Sequence, residues 1–256
     1  VAEPGSADRE RSPLPLAAPS LSVVVPVCNE AENVEPLVRE IVRALGSLPH
    51  EILYVDDGST DDTAGQVRRM RAAGVPQLRL LRHSFRAGQS AAVASGVRAA
   101  LAEWVATLDG DGQNDPADLP ALLAARDANL QARLVMGYRQ TRRDTAWRRL
   151  QSRVANSVRS RLLGDGTPDT GCGIKLLHRP TFLTLPYFDH MHRFLPALYQ
   201  RAGAAVISVP VRHRPRERGQ SKYGMLDRLW VGIVDIFGVM WLRRRFQPGL
   251  SVSEES

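Results

Sequence analysis

The chain has 256 residues, of which 43% are hydrophobic and 24% charged. That balance excludes a disordered or fibrous protein and suits one large α/β domain with a real core. The formal charge of +7 points to an acidic partner, whether nucleic acid, a phosphorylated ligand or an anionic membrane surface. Its basic clusters, Arg142 to Arg161, Arg212 to Lys222 and Arg243 to Arg245, all lie in the second half. The two cysteines, Cys28 and Cys172, have neither CxxC nor Cys/His spacing, which excludes a disulfide framework and a structural zinc site and fits a reducing compartment. Residues 1–20 lack the basic-then-apolar order of a signal peptide and read as a disordered Pro/Ala/Ser tail, as do residues 247–256 at the other end.

Leu21 to Val27 (LSVVVPV) is a β-branched run ending beside a proline, the pattern of a buried strand opening into a loop. Val34, Leu37, Val38, Ile41, Val42 and Leu45 then recur at helical spacing. Glu51 to Val55 predicts a second strand, Asp61 to Ala73 a helix, Leu78 to Arg82 a strand, Gln89 to Leu101 a helix and Trp104 to Leu108 a strand. Pro116 opens a helix to about Ala128, and Leu134 to Gly137 is a further strand. A basic helix from about Ala146 to Leu163, a turn-rich segment from Gly164 to Gly173 and a strand over Ala205 to Val211 complete the domain, residues 21–225. This alternation predicts an α/β fold, a mostly parallel sheet with helices on both faces.

The last element, Leu226 to Arg244, is an amphipathic helix assigned to residues 226–246. Its apolar run contains Asp235 and is too short to cross a bilayer comfortably. Leu226, Leu229, Trp230, Ile233, Phe237, Met240 and Trp241 share one face, followed by arginines. That pattern suits either a helix lying in a membrane interface or one covering the sheet.

Ligands of open α/β sheets bind beyond the carboxyl ends of the strands. Three polar clusters stand there: Pro26 to Glu30, Asp56 to Ser59 and Asp109 to Gln113. Asp109 and Asp111 can face a common point if the backbone turns at Gly110 and Gly112. Two carboxylates so placed suit a hard cation such as Mg2+ or Mn2+, whose other positions accept water and phosphate oxygens.

Taken together, PVCNE (Pro26 to Glu30), VDDGSTDDT (Val55 to Thr63) and DGDGQNDP (Asp109 to Pro116) resemble the family 2 glycosyltransferases. The resemblance implies the GT-A form of the Rossmann-like sheet and a nucleoside-diphosphate sugar as donor, UDP- or GDP-linked. It assigns Pro26, Val27, Asn29, Glu30, Val55 and Asp57 to the nucleotide, with Asp109, Gly110 and Asp111 completing the donor site. It also assigns Asp109, Asp111 and, by analogy, Gln113 to the metal. Such a cation stabilises the charge that builds on a departing diphosphate.

The second half bears on the acceptor. Family 2 enzymes that use sugar hydroxyls tend to carry a Glu-Asp or Asp-Asp pair and a Gln-x-x-Arg-Trp sequence, and neither occurs after residue 120. Where the base is expected stands Asp169-Thr170-Gly171-Cys172-Gly173-Ile174-Lys175. A phosphate acceptor is already anionic and needs a cationic cradle rather than a base. Arg139, Arg148, Arg149, Arg153, Arg216, Ser221 and Lys222 offer one, with Arg139 and Arg148 nearest the chemistry.

The GYR, WRRLQSR, DTGCGIK and RxxGxSK stretches resemble the polyprenyl-phosphate sugar synthases, typified by dolichyl-phosphate mannose synthase. The implied reaction is inverting transfer of a sugar to a polyprenyl phosphate by a peripheral enzyme at the cytoplasmic membrane face. A membrane partner protein is the other anchor this resemblance leaves open. The alternatives are transfer to a saccharide hydroxyl in polysaccharide or lipopolysaccharide assembly, with Asp169 as base, and a non-catalytic basic binding protein. Against the last, no nucleic-acid recognition motif is present, so no nucleic-acid partner is expected.

Overall fold

The computed structural model describes residues 18–139, 159–215 and 225–245, with side chains of the last segment from 232 onward. Residues 1–17 of the expected N-terminal tail and the whole expected tail 247–256 lie outside it, as do Phe246, residues 140–158, which include most of the expected basic helix, and the stretch 216–224. Four aliphatic runs form the parallel strands β1 (Leu21–Val27), β2 (His50–Asp56), β3 (Leu78–Arg82) and β4 (Trp104–Thr107). The helices between and after them are α1 (Ala31–Leu45), α2 (Thr63–Ala72), α3 (Gln89–Ala99) and α4 (Leu119–Ala128).

These strands are apolar along nearly their whole length because both faces are covered and successive side chains enter opposite cores. Val23, Val25, Ile52 and Tyr54 pack with Val34, Leu37 and Ile41 of α1, Val67 of α2 and Leu122 of α4. On the other face Val24, Leu53, Val55 and Val105 meet Ala92, Val93 and Val97 of α3.

The remaining strands are β5 (Ala132–Arg139), β6 (Lys175–His178) and β7 (Ala205–Val211), with helices α5 (Arg179–Leu183), α6 (Leu195–Arg201) and α7 (Met225–Arg244). The sheet order is β3-β2-β1-β4-β6-β5-β7. The mostly parallel sheet is as expected, with one addition. β6, a four-residue strand that periodicity did not mark, lies antiparallel between β4 and β5. Its register sets Lys175 opposite Thr107 and His178 opposite Trp104. The turn before β6 is thereby delivered to the carboxyl end of β4, where Asp109 begins its loop.

The C-terminal helix divides the face that its sequence pattern unites. Val239 is buried, and Ile236, Met240 and Leu242 pack against the α3-side core. Arg201 Nε donates to the Leu242 carbonyl at 3.0 Å, tying α6 to the helix. Ile233, Val234, Phe237 and Trp241 stay exposed, Phe237 at 63% and Trp241 at 59%. The helix is thus both a cover for the sheet and an apolar surface. Among the described residues no helix is long and apolar enough to cross a membrane.

Close packing of α3 on β1 depends on Gly96. A Cβ there would overlap Val24 Cγ1 and come within 2.9 Å of Val24 Cγ2 and 3.2 Å of Val55 Cγ2. Gly96→Ala is expected to lower stability by about 1–3 kcal/mol despite its better helix propensity, as read from the urea midpoint at constant slope.

Candidate active site

The first two polar clusters are bound to each other. Asn29 sits in the left-handed region at φ 53° and turns the chain out of β1. Its Oδ1 accepts from the backbone N–H of Thr60 at 2.7 Å and of Asp61 at 3.3 Å, while its own N–H donates to Ser59 Oγ at 2.8 Å. The Glu30 N–H donates to Thr63 Oγ1 at 2.9 Å, and Glu30 Oε2 accepts from Asn33 Nδ2 at 2.7 Å. Asn29 and Glu30 therefore tie the loop after β1 to the loop after β2. Val55, expected beside the nucleotide, is fully buried and its side chain packs in the core beneath.

Neither aspartate of VDD is a loose acceptor. Asp56 is fully buried and holds Arg82 Nε at 2.8 Å and the Ser59 N–H at 2.9 Å. Asp57 accepts from the N–H groups of Ala87 and Gly88, each at 2.8 Å, and lies 2.7 Å from His83 Nδ1. His83, which its sequence context marks only as a loop residue, is thus part of the site. No local pattern could have shown this, because its partners lie 26 and 12 residues away.

At the third cluster Leu108 continues the β4 line, its N–H donating to Val24 O at 3.1 Å, before the chain turns. Asn114 Oδ1 accepts the Asp109 N–H at 2.9 Å and closes the loop, and Gly112 takes φ 73° within it. Gln89 Nε2 donates to Asp109 Oδ1 at 2.9 Å. Pro26, Gln89, Asp109, Gly173, Lys175 and His192 line one small cavity at this point, together with apolar side chains such as Val93 and Leu195.

Burial, and next the charge of Asp111, push the Asp109 carboxyl above its usual range, with Lys175 and Arg139 opposing. Lys175 is 5% exposed, and its ammonium donates to the Cys172 carbonyl. Burial lowers its pKa. Burial also holds His192 well below the usual histidine value, and its Nδ1 lies 2.7 Å from Ser90 Oγ.

These residues fit a divalent cation. A Cβ at Gly173 would overlap the Asp109 carboxylate and lie 2.5 Å from Asn114 Oδ1, so the glycine leaves the space in which the carboxylate sits. Among the described residues no three His, Cys, Asp or Glu side chains converge on a point. One or two carboxylates with water and substrate oxygens is the donor set of Mg2+ or Mn2+. The Gln113 backbone is engaged, its N–H donating to Asp111 Oδ1 at 3.1 Å and its carbonyl accepting from Arg214 N at 3.0 Å.

Asp169 is 5% exposed and is gripped by Arg139, whose Nε and Nη2 donate to Oδ2 at 2.7 Å and Oδ1 at 3.0 Å. Burial alone would lower the Arg139 pKa, but the hydrogen bonds and charge of Asp169 outweigh it and hold the value up. Part of the basic stretch after β7 is also spent inward. Arg212 pairs with Asp118 at 3.0 Å, and Arg214 pairs with Asp115 at 2.7 Å and Glu40 at 2.8 Å. Asp115 in addition caps the turn at Pro116, accepting from Ala117 N at 3.0 Å. Arg148, Arg149, Arg153, Arg216, Ser221 and Lys222 lie outside the described residues.

The model of the glycosyl transferase family 2 domain matches residues 22–184, the segment that carries all three strand-end clusters and the turn into β6. The chain belongs to glycosyl transferase family 2. It is 34% identical over 241 residues to dodecaprenyl-phosphate galacturonate synthase of Rhizobium johnstonii, covering 92% of this chain and 71% of that protein. It is also 34% identical to undecaprenyl-phosphate 4-deoxy-4-formamido-L-arabinose transferase of Edwardsiella ictaluri, covering 80% of this chain. The matched segment spans 63% of that relative's length. Among solved structures, glucosyl-3-phosphoglycerate synthase of Mycobacterium tuberculosis in complex with Mn2+, UDP and its product has a TM-score of 0.64 at 19% identity, covering 88% of this chain and 80% of that one. The same protein with Mg2+ and UDP also scores 0.64. These neighbours share the GT-A fold, so the expected fold holds, and the family match and the relatives make the chain a glycosyltransferase.

A raised carboxyl pKa has a defined sign. The folded chain holds the Asp109 proton more tightly than the unfolded chain, so this contribution is complete at acid pH and disappears as pH rises through the folded value. At neutral pH the ionised carboxylate is a net cost in the metal-free protein. Asp109→Asn is expected to raise the metal-free melting temperature at pH 7 by about 2–4 °C and to lose any rise on adding Mn2+. The metal-free difference is expected to shrink as pH falls and the wild-type carboxyl takes up its proton; thermal scans from neutral into acid pH check it.

Proposed function

We propose that this glycosyltransferase moves a sugar from a nucleoside-diphosphate sugar to a polyprenyl phosphate at the cytoplasmic face of a membrane. The observation that carries this reading is the bidentate grip of Arg139 on Asp169. The carboxylate where a hydroxyl-activating base is expected is occupied by a guanidinium. A phosphate acceptor does not need that base. The acceptors named for the two relatives, dodecaprenyl and undecaprenyl phosphate, support the same class.

Asp109 and Asp111, with Gln113, would hold a Mg2+ or Mn2+ ion, which would supply positive charge for a departing diphosphate. Pro26, Val27, Asn29, Glu30, Val55, Asp57 and Gly110 form the frame around the nucleotide and diphosphate. An acceptor phosphate oxygen attacks the anomeric carbon, and the bond to the diphosphate oxygen breaks with its electron pair, inverting the centre. Arg139 and Arg148, with Arg216, Ser221 and Lys222, hold the acceptor phosphate. No proton has to move to a protein base.

The exposed stripe Ile233, Val234, Phe237 and Trp241, followed by the exposed Arg244 and Arg245, seats the enzyme on an anionic lipid surface. Phe237→Ser with Trp241→Ser is expected to reduce sedimentation with phosphatidylglycerol vesicles severalfold while leaving nucleotide binding unchanged.

The purified chain, given UDP- and GDP-sugars, Mn2+ and undecaprenyl phosphate, is expected to form a lipid-linked monophosphate sugar. A donor panel that yields none would overturn the proposal. Asp169→Asn leaves Arg139 with a weaker partner and is expected to cost about 3 kcal/mol of stability. Its pH–rate profile should keep the wild-type shape; loss of the acid limb would instead mark Asp169 as a base and a hydroxyl as acceptor.

A further inference from the structure

The Asp57 carboxylate has about four acceptor sites, and three are used by the chain itself. Oδ1 takes the Ala87 N–H at 2.8 Å and His83 Nδ1 at 2.7 Å, and Oδ2 takes the Gly88 N–H at 2.8 Å. One lone pair of Oδ2 remains. Because a carboxylate can only accept, His83 carries its proton on Nδ1 whether the ring is neutral or charged. Behind it, His83 Nε2 lies 2.9 Å from Ser95 Oγ on α3. The His83 backbone is fixed as well, its N–H donating to Asp56 O at 2.9 Å. Segment 83–88 is thus lashed to the end of β2 at both of its ends, with Asp57 as the knot. Gln89, which follows at once, holds Asp109.

We infer that His83 is a positioning residue for the donor nucleoside. Through its Nδ1–H it fixes the Asp57 carboxylate and the 87–88 backbone in the arrangement that leaves one Oδ2 lone pair for an N–H or O–H of the nucleotide. This rests on the donor reading above, and it concerns binding rather than chemistry. Without the imidazole, Asp57 rotates toward water and the loop loses its tie to α3. The ligand then has to restore that order at the expense of its own affinity.

The test uses the full chain and calorimetric titration of UDP and of GDP in the presence of Mn2+. An asparagine amide at position 83 reaches the place of Nδ1, whereas a glutamine amide reaches that of Nε2. His83→Ala and His83→Gln are expected to weaken nucleotide binding about tenfold or more, the worth of a hydrogen bond to a charged group. His83→Asn is expected to stay within about threefold of wild type, since it keeps that bond. KM for polyprenyl phosphate should not move in any of them. Equal affinity in wild type, His83→Asn and His83→Gln would overturn the inference, and so would an asparagine variant as weak as the glutamine one. The pair decides the matter even if His83→Ala does not fold. Wild-type protein that binds neither nucleotide would instead remove the donor reading and this inference with it.

Discussion

Two carboxylates set side by side at the end of a buried strand repel each other, and burial together with the charge of Asp111 holds the Asp109 carboxyl above its usual range. The surroundings of the site answer that constraint. Gln89 donates from α3, Lys175 brings a buried ammonium from β6, and Gly173 contributes only backbone so that the carboxylate has room. The compensation is partial, since the Asp109 carboxyl stays above its usual range. A pair fully neutralised by fixed cations would gain little from an ion.

The same economy governs the walls. Asn29 accepts from the loop after β2, Asp57 from the segment before α3, and Glu30 and Asp56 from Asn33 and Ser59 close by in the chain. Their order is therefore established before a ligand arrives, and ordering entropy is not charged against binding. The arginines after β7 act similarly: Arg212 and Arg214 neutralise Asp115, Asp118 and Glu40 and so brace the helix that follows the Asp109 loop. Net charge therefore overstates how much cation remains for a substrate.

Much of this was legible in the sequence where one residue type answers to one local force. The β-branched runs of β1 and β7 and the helical stripe of α1 match the expected elements closely. β6 was not legible, since KLLH is short, opens with a lysine and owes its strand form to the partners on either side. The Asp109 cluster could be recognised from its place beyond an apolar strand and from the joint resemblance of three clusters to family 2 glycosyltransferases, not from its spacing alone. The roles of His83 and Gln89 could not, because a histidine in a loop and a glutamine at a helix start acquire meaning only from what tertiary packing brings near. Asp169 illustrates the converse. Its type and position suggested a base, and only the Arg139 geometry shows the carboxylate already engaged.

The placement of β6 also governs when the site can come into being. Strands β1 to β4 are joined by local crossovers, but Lys175 reaches Thr107 only after the intervening chain has formed β5 and returned. Contacts of such separation close late and slowly. A nascent chain folded only through β4 has its acidic loop but neither the Gly173 floor nor the Lys175 countercharge. The candidate site is thus complete only once the last central strand is in place.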